Sequence, residues 1–458
     1  MTVKKIFQLP QPPFTALNNC GCSLGDASMA PITHTMNRVV LIVVALFGLV
    51  ACQQGNAAPV LMATPTAAPA NEDTVDNSNE FDELMGQNRQ LVIWVPEFFD
   101  PTVAEADSAV SKARELFRQA HPDVHIDIQV KAQQGETGLF NYLTHAQRVA
   151  PSILPDIILL DTQQLWQAVD LNLVQPIDWE SLSHTNDFFQ FAREAVSYQN
   201  RMIGVPYAGD IIHLIYHSDQ VEQAPATWTD LLTTKPPYFF AAGQQEQPNE
   251  SLLLQYLGAG GQLFEDGVVS NPEALTQLFT FLSEAQSNGI FPSEVLQLTT
   301  FEETWATFVA QPNSLADISA SLVLLRRNSL NNLGFAQIPT INGAAISIAH
   351  TWAFALVTAD EEQQQLSLAL LEQLLTPAVQ SEWCHSAMIP PTQGAAFELW
   401  RGTSGYYDFL QRQLDVAVAI PNGVRFAEFS KRLQEAQEAV LQNQLNPENA
   451  AEFVQVIP

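Results

Sequence analysis

The sequence predicts an α/β protein of two lobes, carried behind a long non-globular N-terminal segment. Three observations lead there. The chain has 458 residues, more than one domain of ~100–200 residues accounts for. Between Arg89 and Val174, apolar runs of strand length alternate with stretches of helical spacing. That alternation is the mark of a mainly parallel sheet covered by helices. Ahead of residue 86 it is absent.

The N-terminal segment reads as an address. Val39 to Val50 is an unbroken run of small and apolar residues with Arg38 before it. It is too short for a bilayer-spanning helix, which needs ~20 residues, and it suits the apolar region of a signal peptide. It ends in Leu49-Val50-Ala51-Cys52, which resembles the lipobox of bacterial lipoproteins, with lipid attached to the Cys52 thiol and cleavage before it. Met36 stands where residues 36–51 would begin as that signal. Residues 1–35, with Pro10, Pro12 and Pro13, read as an extension or as a start placed too far upstream. Residues 52–85 are rich in Ala, Pro, Thr and Asn without a helical or strand period, and read as a flexible tether.

The body opens with the apolar strand "RQLVIWVPEFF" from Arg89. A helix follows with Ala106, Val110, Ala113, Leu116 and Phe117 on its apolar face, stopped at His121-Pro122. "VHIDIQVKA" alternates in period two, a second strand. A helix over 138–149 leads to a third strand, "LPDIILLD", and the helix "TQQLWQAVDLNLV". "GVPYAGDIIHLIYH" is a long apolar strand, and Thr227 is the expected N-cap of "WTDLL". A helix starts after Asn271-Pro272. "LADISASLVLL", "LGFAQIPT" and "AISIAHTWAFAL" are read as strands, and helices close the chain.

Composition narrows the function. Nineteen Lys and Arg against forty-nine Asp and Glu give a formal charge of -30, which repels phosphate backbones and argues against nucleic-acid binding. Of four cysteines, Cys20 and Cys22 precede the signal run and Cys52 ends it. Cleavage before a lipidated Cys52 leaves Cys384 as the one free thiol of the body, so no disulfide framework is expected. The sequence holds no nucleophile elbow, P-loop, zinc-protease helix or dinucleotide fingerprint, so neither a cofactor nor a metal is expected. His213 and His217 sit four apart on a strand, ~13 Å from end to end, and read as structural. Cys384-His385 reads as the end of a packed helix, its thiol buried, as are Trp228 and Trp383.

At this point the order of motifs resembles the bacterial extracellular solute-binding proteins of family 1, the maltose-type binding proteins of ABC importers. "PDIILLD" with "LNLVQPID" is similar to the family's strand, helix and Gly-x-Leu-x-Pro-Leu-Asp passage, with Asn172 in the glycine's place. "GVPYAGDIIHLIYHSD", "PATWTDLL", "GAGGQLFEDG…NPEALTQLFTFL…NGIFP" and "NPENAAEF" follow in the family's order. The chain departs from it at "LADISASLV", which lacks the family's Asn-Gly turn and Trp, and at "HSD", which lacks its lysine.

The resemblance implies a periplasmic-binding-protein-like fold with a ligand cleft between hinge-linked lobes. Lobe one is expected over 86–209 and 351–400, and lobe two over 210–350 and 401–458. It further implies a small-molecule solute, most readily a sugar, an ABC permease as partner, a membrane reached through the lipid anchor, a monomer, and no catalysis. The expected ligand residues are Tyr207, Asp210 and Trp352 on the crossings, Glu97 and Asp161 from lobe one, and Trp305 and Ser319 from lobe two. Two other classes remain open: an exported binding or sensor protein without a transporter, and an exported hydrolase on an α/β scaffold.

Overall fold

The computed structural model describes residues 89–455 apart from 101–107, 134, 200, 246–247, 264–270 and 403. The signal run, Cys52, the tether, Ala106 and the acidic loop after Gly261 therefore lie outside the described residues.

β1 (Arg89–Pro96) pairs in parallel with β2 (Val124–Lys131) on one side and β3 (Ile157–Asp161) on the other. α1 (Ala109–Ala120) and α2 (Leu139–Val149) make the connections. α1 begins where the Ser108 hydroxyl accepts from Ser111 N at 3.0 Å, and it buries Val110, Ala113 and Phe117. Leu116, expected on that face, is 55% exposed, because it sits one residue off the stripe. All five residues of β3 are buried. Each of its Ile and Leu side chains then contributes about 1.5–3 kcal/mol of transfer free energy. α3 (Thr162–Asp170) follows, and Asn172 ends its turn at φ +54°. The family's glycine can be Asn there because a short amide side chain tolerates the left-handed region.

α4 (Gln190–Ala195) and the hairpin of β4 (Ser197–Tyr198) and β5 (Arg201–Met202) lead into β6 (Val205–His217), whose first eleven residues are buried. Next come α5 (Trp228–Thr234), β7 (Tyr238–Phe239), α6 (Glu250–Gly258), α7 (Pro272–Ser287) and α8 (Phe301–Ala310). Thr227 caps α5 in a capping box with Asp230. β8 (Leu315–Ser319) ends where Ser319 caps α9 (Ala320–Arg326). This corrects the expectation of one strand through "LADISASLVLL": the serine offers its side-chain oxygen to the free N–H groups that follow and turns the chain. β9 (Leu333–Ala336) is only the first half of "LGFAQIPT".

β10 (Ser347–Leu356) returns antiparallel to both β3 and β6. α10 (Glu361–Leu374), α11 (Pro377–Ser386) and α12 (Gly394–Glu398) follow, α10 and α11 packing on α1. α13 (Gly405–Leu414), β11 (Ala417–Ala419), α14 (Val424–Leu441) and α15 (Pro447–Gln455) complete the chain, α14 and α15 packing on α7.

The strands join in the order β2-β1-β3-β10-β6-β8-β7, with β11 on β10 and β9 on β6. The sheet is mixed rather than mainly parallel. β6 explains why: residues 205–211 pair with β10, while 212–217 pair with β8 and β9, all antiparallel. One strand thus belongs to two groups of strands, changing partners between Ile211 and Ile212.

Candidate functional site

Register decides which side chains share a face at the crossing. Trp352 stands opposite Asp161 of β3 and Ala208 of β6, His350 opposite Asp210, and Ile212 opposite Ser319 of β8. Directly opposed residues of antiparallel strands share a face, and the side-chain period is two. Asp161, Trp352, His350, Asp210 and Ser319 therefore line one face, which draws residues from 161 to 352 into a single row.

Each of these groups is held. The Asp161 carboxylate accepts from Gln164 N at 2.9 Å, capping α3, and burial raises its pKa against the pull of His350. Asp210 accepts from Ile211 N and Ser321 N at 3.0 Å each and from the Ser321 hydroxyl. Burial still pushes its pKa up to about 6, because those bonds offset the loss of water only in part. Ser319 caps α9 and shares a hydroxyl contact of 3.1 Å with Ser321. Trp352 packs edge-on against Phe98 at 5.4 Å and lies 4.6 Å from the His350 ring. The His350 imidazole forms an ion pair with Glu250 of α6, Nδ1 to Oε1 3.5 Å.

Over this row opens a cavity of about 590 Å³. Asp161, Gln163, Gln164 and Gln167 line it from the start of α3, His350 from β10, and Gln244, Gln245 and Thr300 from the opposite side. It continues into a second cavity of about 650 Å³ that shares Gln163, Gln167, Gln244 and Gln245 and is bounded by Lys431, Glu435 and Glu438 of α14. A third, of about 610 Å³, shares Trp166, Pro421 and Asn422 with the second. Shared walls make these one elongated groove. Its lining is amide-rich, and each amide offers donors and an acceptor together, which matches a hydroxyl's own needs.

The candidates from sequence divide three ways. Asp161 lines the groove; Asp210, Ser319 and Trp352 form the floor row beside it. Tyr207 does not belong: its ring is fully buried against Phe99, Phe354 and Trp383, and its hydroxyl donates to Leu374 O at 3.2 Å. Trp305 is likewise core, 4% exposed beside Phe308. Glu97 is exposed on a one-turn helix and lines none of these cavities.

The candidates from sequence did not include His350, Glu250, Ser321 or the glutamines of α3. His350 was legible, two residues before Trp352 on the same strand. Gln163 and Gln164 were legible as the first residues after a strand-ending Asp. Glu250 meets His350 across a hundred residues, and nothing local announces that. His213 and His217 have separate partners: Nε2 of His213 lies 2.8 Å from the Tyr406 hydroxyl, while His217 stacks on Phe308 at 4.2 Å. Burial takes His213 down to about 4, so it is neutral.

A model of the bacterial extracellular solute-binding protein family matches residues 112–400, more than half of the chain. Solved structures with the same fold include the maltose-binding protein MalE of Listeria monocytogenes in complex with maltose, at TM-score 0.65 and 14% identity, covering 80% of this chain and 96% of that one. The cyclic alpha-maltosyl-1,6-maltose binding protein of Arthrobacter globiformis matches at TM-score 0.63 and 15% identity, over 80% and 97%. Maltose-bound MalE3 of T. maritima matches at 0.61 and 18%, again over 80% and 97%. At these identities the likeness carries the fold, the two-lobed α/β fold of periplasmic maltose-binding proteins.

Proposed function

Because the chain belongs to the bacterial extracellular solute-binding protein family, we propose that it is the capture component of an ABC importer, binding an oligosaccharide in the groove and held to the membrane by lipid on Cys52. The observation that carries this reading is the groove itself, lined by amides from α3 and from Gln244 and Gln245, and reached by Asp161 and His350 at the crossing. Structures with this fold hold maltose, and an amide-rich wall suits an uncharged polyhydroxylated solute better than an anion.

The lobes are taken as 86–209 with 351–400 and 210–350 with 401–458. The register change on β6 between Ile211 and Ile212 supports the first boundary, and the packing of α13 through Tyr406 on His213 and Phe335 supports assigning the later segment to lobe two. A solute touching both lobes stabilises the closed arrangement over the open one, and only that difference in affinity drives closure. The closed form then docks on the permease.

A thermal-shift screen against malto-oligosaccharides tests the sugar. At a hundredfold excess over Kd, binding adds about 2.7 kcal/mol and raises the melting temperature by several degrees. No shift with any saccharide, alongside a shift with an uncharged solute of another class, would refute it. Cys52→Ser should release the protein from the membrane fraction, and retention there would refute the anchor.

A further inference from the structure

We propose that His350 is a solute-contacting, affinity-setting residue of the groove, presenting a cationic N–H to a solute oxygen from between carboxylates of both lobes. This rests on the saccharide reading of the groove.

The geometry comes first. His350 is the one residue of β10 lining the 590 Å³ cavity, and its side chain keeps 21% of its exposure. Nδ1 faces Glu250 at 3.5 Å, while Nε2 has no hydrogen-bond partner among the described residues. Trp352, 4.6 Å away, fixes the ring from the side. The titratable groups around it are Glu250 from α6, Asp161 from β3 and Asp210 from β6, three carboxylates on three elements. Burial by itself would strip the ring of its proton. Contact with Glu250, then the charges of Asp161, Glu250 and Asp210, overrule it and raise the pKa to about 9.

A protonated imidazole donates from both nitrogens. With Nδ1 committed to Glu250, the donor left for the groove is Nε2–H, and a hydrogen bond from a cation is about twice as strong as a neutral one. When the ring loses its proton, the one that remains stays on Nδ1 facing Glu250. Nε2 then changes from donor to acceptor, and the charge-assisted bond to the solute oxygen gives way to a weaker neutral one from a hydroxyl that turns to donate. Affinity should therefore fall as pH rises through about 9, the sign expected of a raised histidine.

The test is calorimetric titration of the intact chain with maltotetraose from pH 6 to pH 10. The parent should lose about tenfold in affinity across the upper part of that range. His350→Gln should bind about tenfold more weakly at pH 7.5 with a flat profile, and Glu250→Gln should move the loss toward neutral pH. Circular dichroism reports whether each variant is folded, and Glu250→Gln leaves the imidazole in place if His350→Gln is not. A His350→Gln protein binding as tightly as its parent, or either variant keeping the parent's pH profile, overturns the proposal and leaves the saccharide reading intact. A parent that binds neither maltotetraose nor any other saccharide overturns both.

Discussion

Asp317 sits buried on β8, 1% exposed, and accepts a hydrogen bond from the Tyr238 hydroxyl. Among the described residues no Lys, Arg or His forms an ion pair with it. Burial therefore dominates and pushes its pKa from 3.8 to about 7, with Tyr238 and then Ser251 pulling the other way. A raised carboxyl means that the folded chain holds a proton that the unfolded chain releases. Stability is then greatest below the unfolded pKa and declines as pH rises from about 4 to about 7. A shift of three units corresponds to about 4 kcal/mol at most.

Asp317→Asn keeps the shape and removes the ionisation. Urea denaturation of both proteins at pH 4, 5, 6, 7 and 8 isolates the effect, because Asp161 and Asp210, which are also raised, contribute to both and cancel. The stability of the parent relative to the variant should fall by about 3–4 kcal/mol between pH 4 and pH 8. Only this pH-dependent part bears on the argument, since the amide has a fixed cost of its own against Tyr238. Parallel profiles would mean that Asp317 is ionised without penalty and that the burial argument is wrong.

Gly209→Ala should destabilise by about 1–3 kcal/mol on thermal denaturation, since the new methyl would stand 2.8 Å from the Phe191 ring. Asn172→Val should cost about 1–2 kcal/mol at its left-handed backbone while Asn172→Gly should be close to neutral, a contrast read by chemical denaturation. Cys384 is fully buried with its thiol pushed well above the usual range, so a thiol reagent should label Cys384 only at the rate of unfolding, read by peptide mapping. Fast labelling of Cys384 in the native protein would show that the helix α11 is not packed as described.

Much of the fold was legible because its signals are local. β1, β2 and β3 announce themselves by apolar runs and alternation, and Thr227 and Asn271 by cap chemistry. The site was legible only where local pattern and burial agree, as at Asp161, which is at once a strand end, a helix cap and a groove wall. Tyr207 and Trp305 misled because an aromatic residue near a crossing suits a stacking platform and a core equally well, and only packing separates the two. Glu250 and Ser321 acquire their roles from β6 and β10 meeting segments far along the chain. The mixed sheet was missed for a related reason: strand order depends on where a chain returns, which composition does not encode.

The shared strands carry a mechanical consequence. A strand that is laddered into both groups cannot act as a free pivot. On the proposed closure, motion of the lobes would be taken up by retwisting β6 around residues 209–212 with its hydrogen bonds kept. The crossing would then act as a leaf spring, whose curvature sets how far the groove opens. Side chains such as Phe191, wedged against Gly209, set the stiffness of that spring. Substitutions there can tighten or loosen solute binding without touching the solute, by changing how much work closure requires.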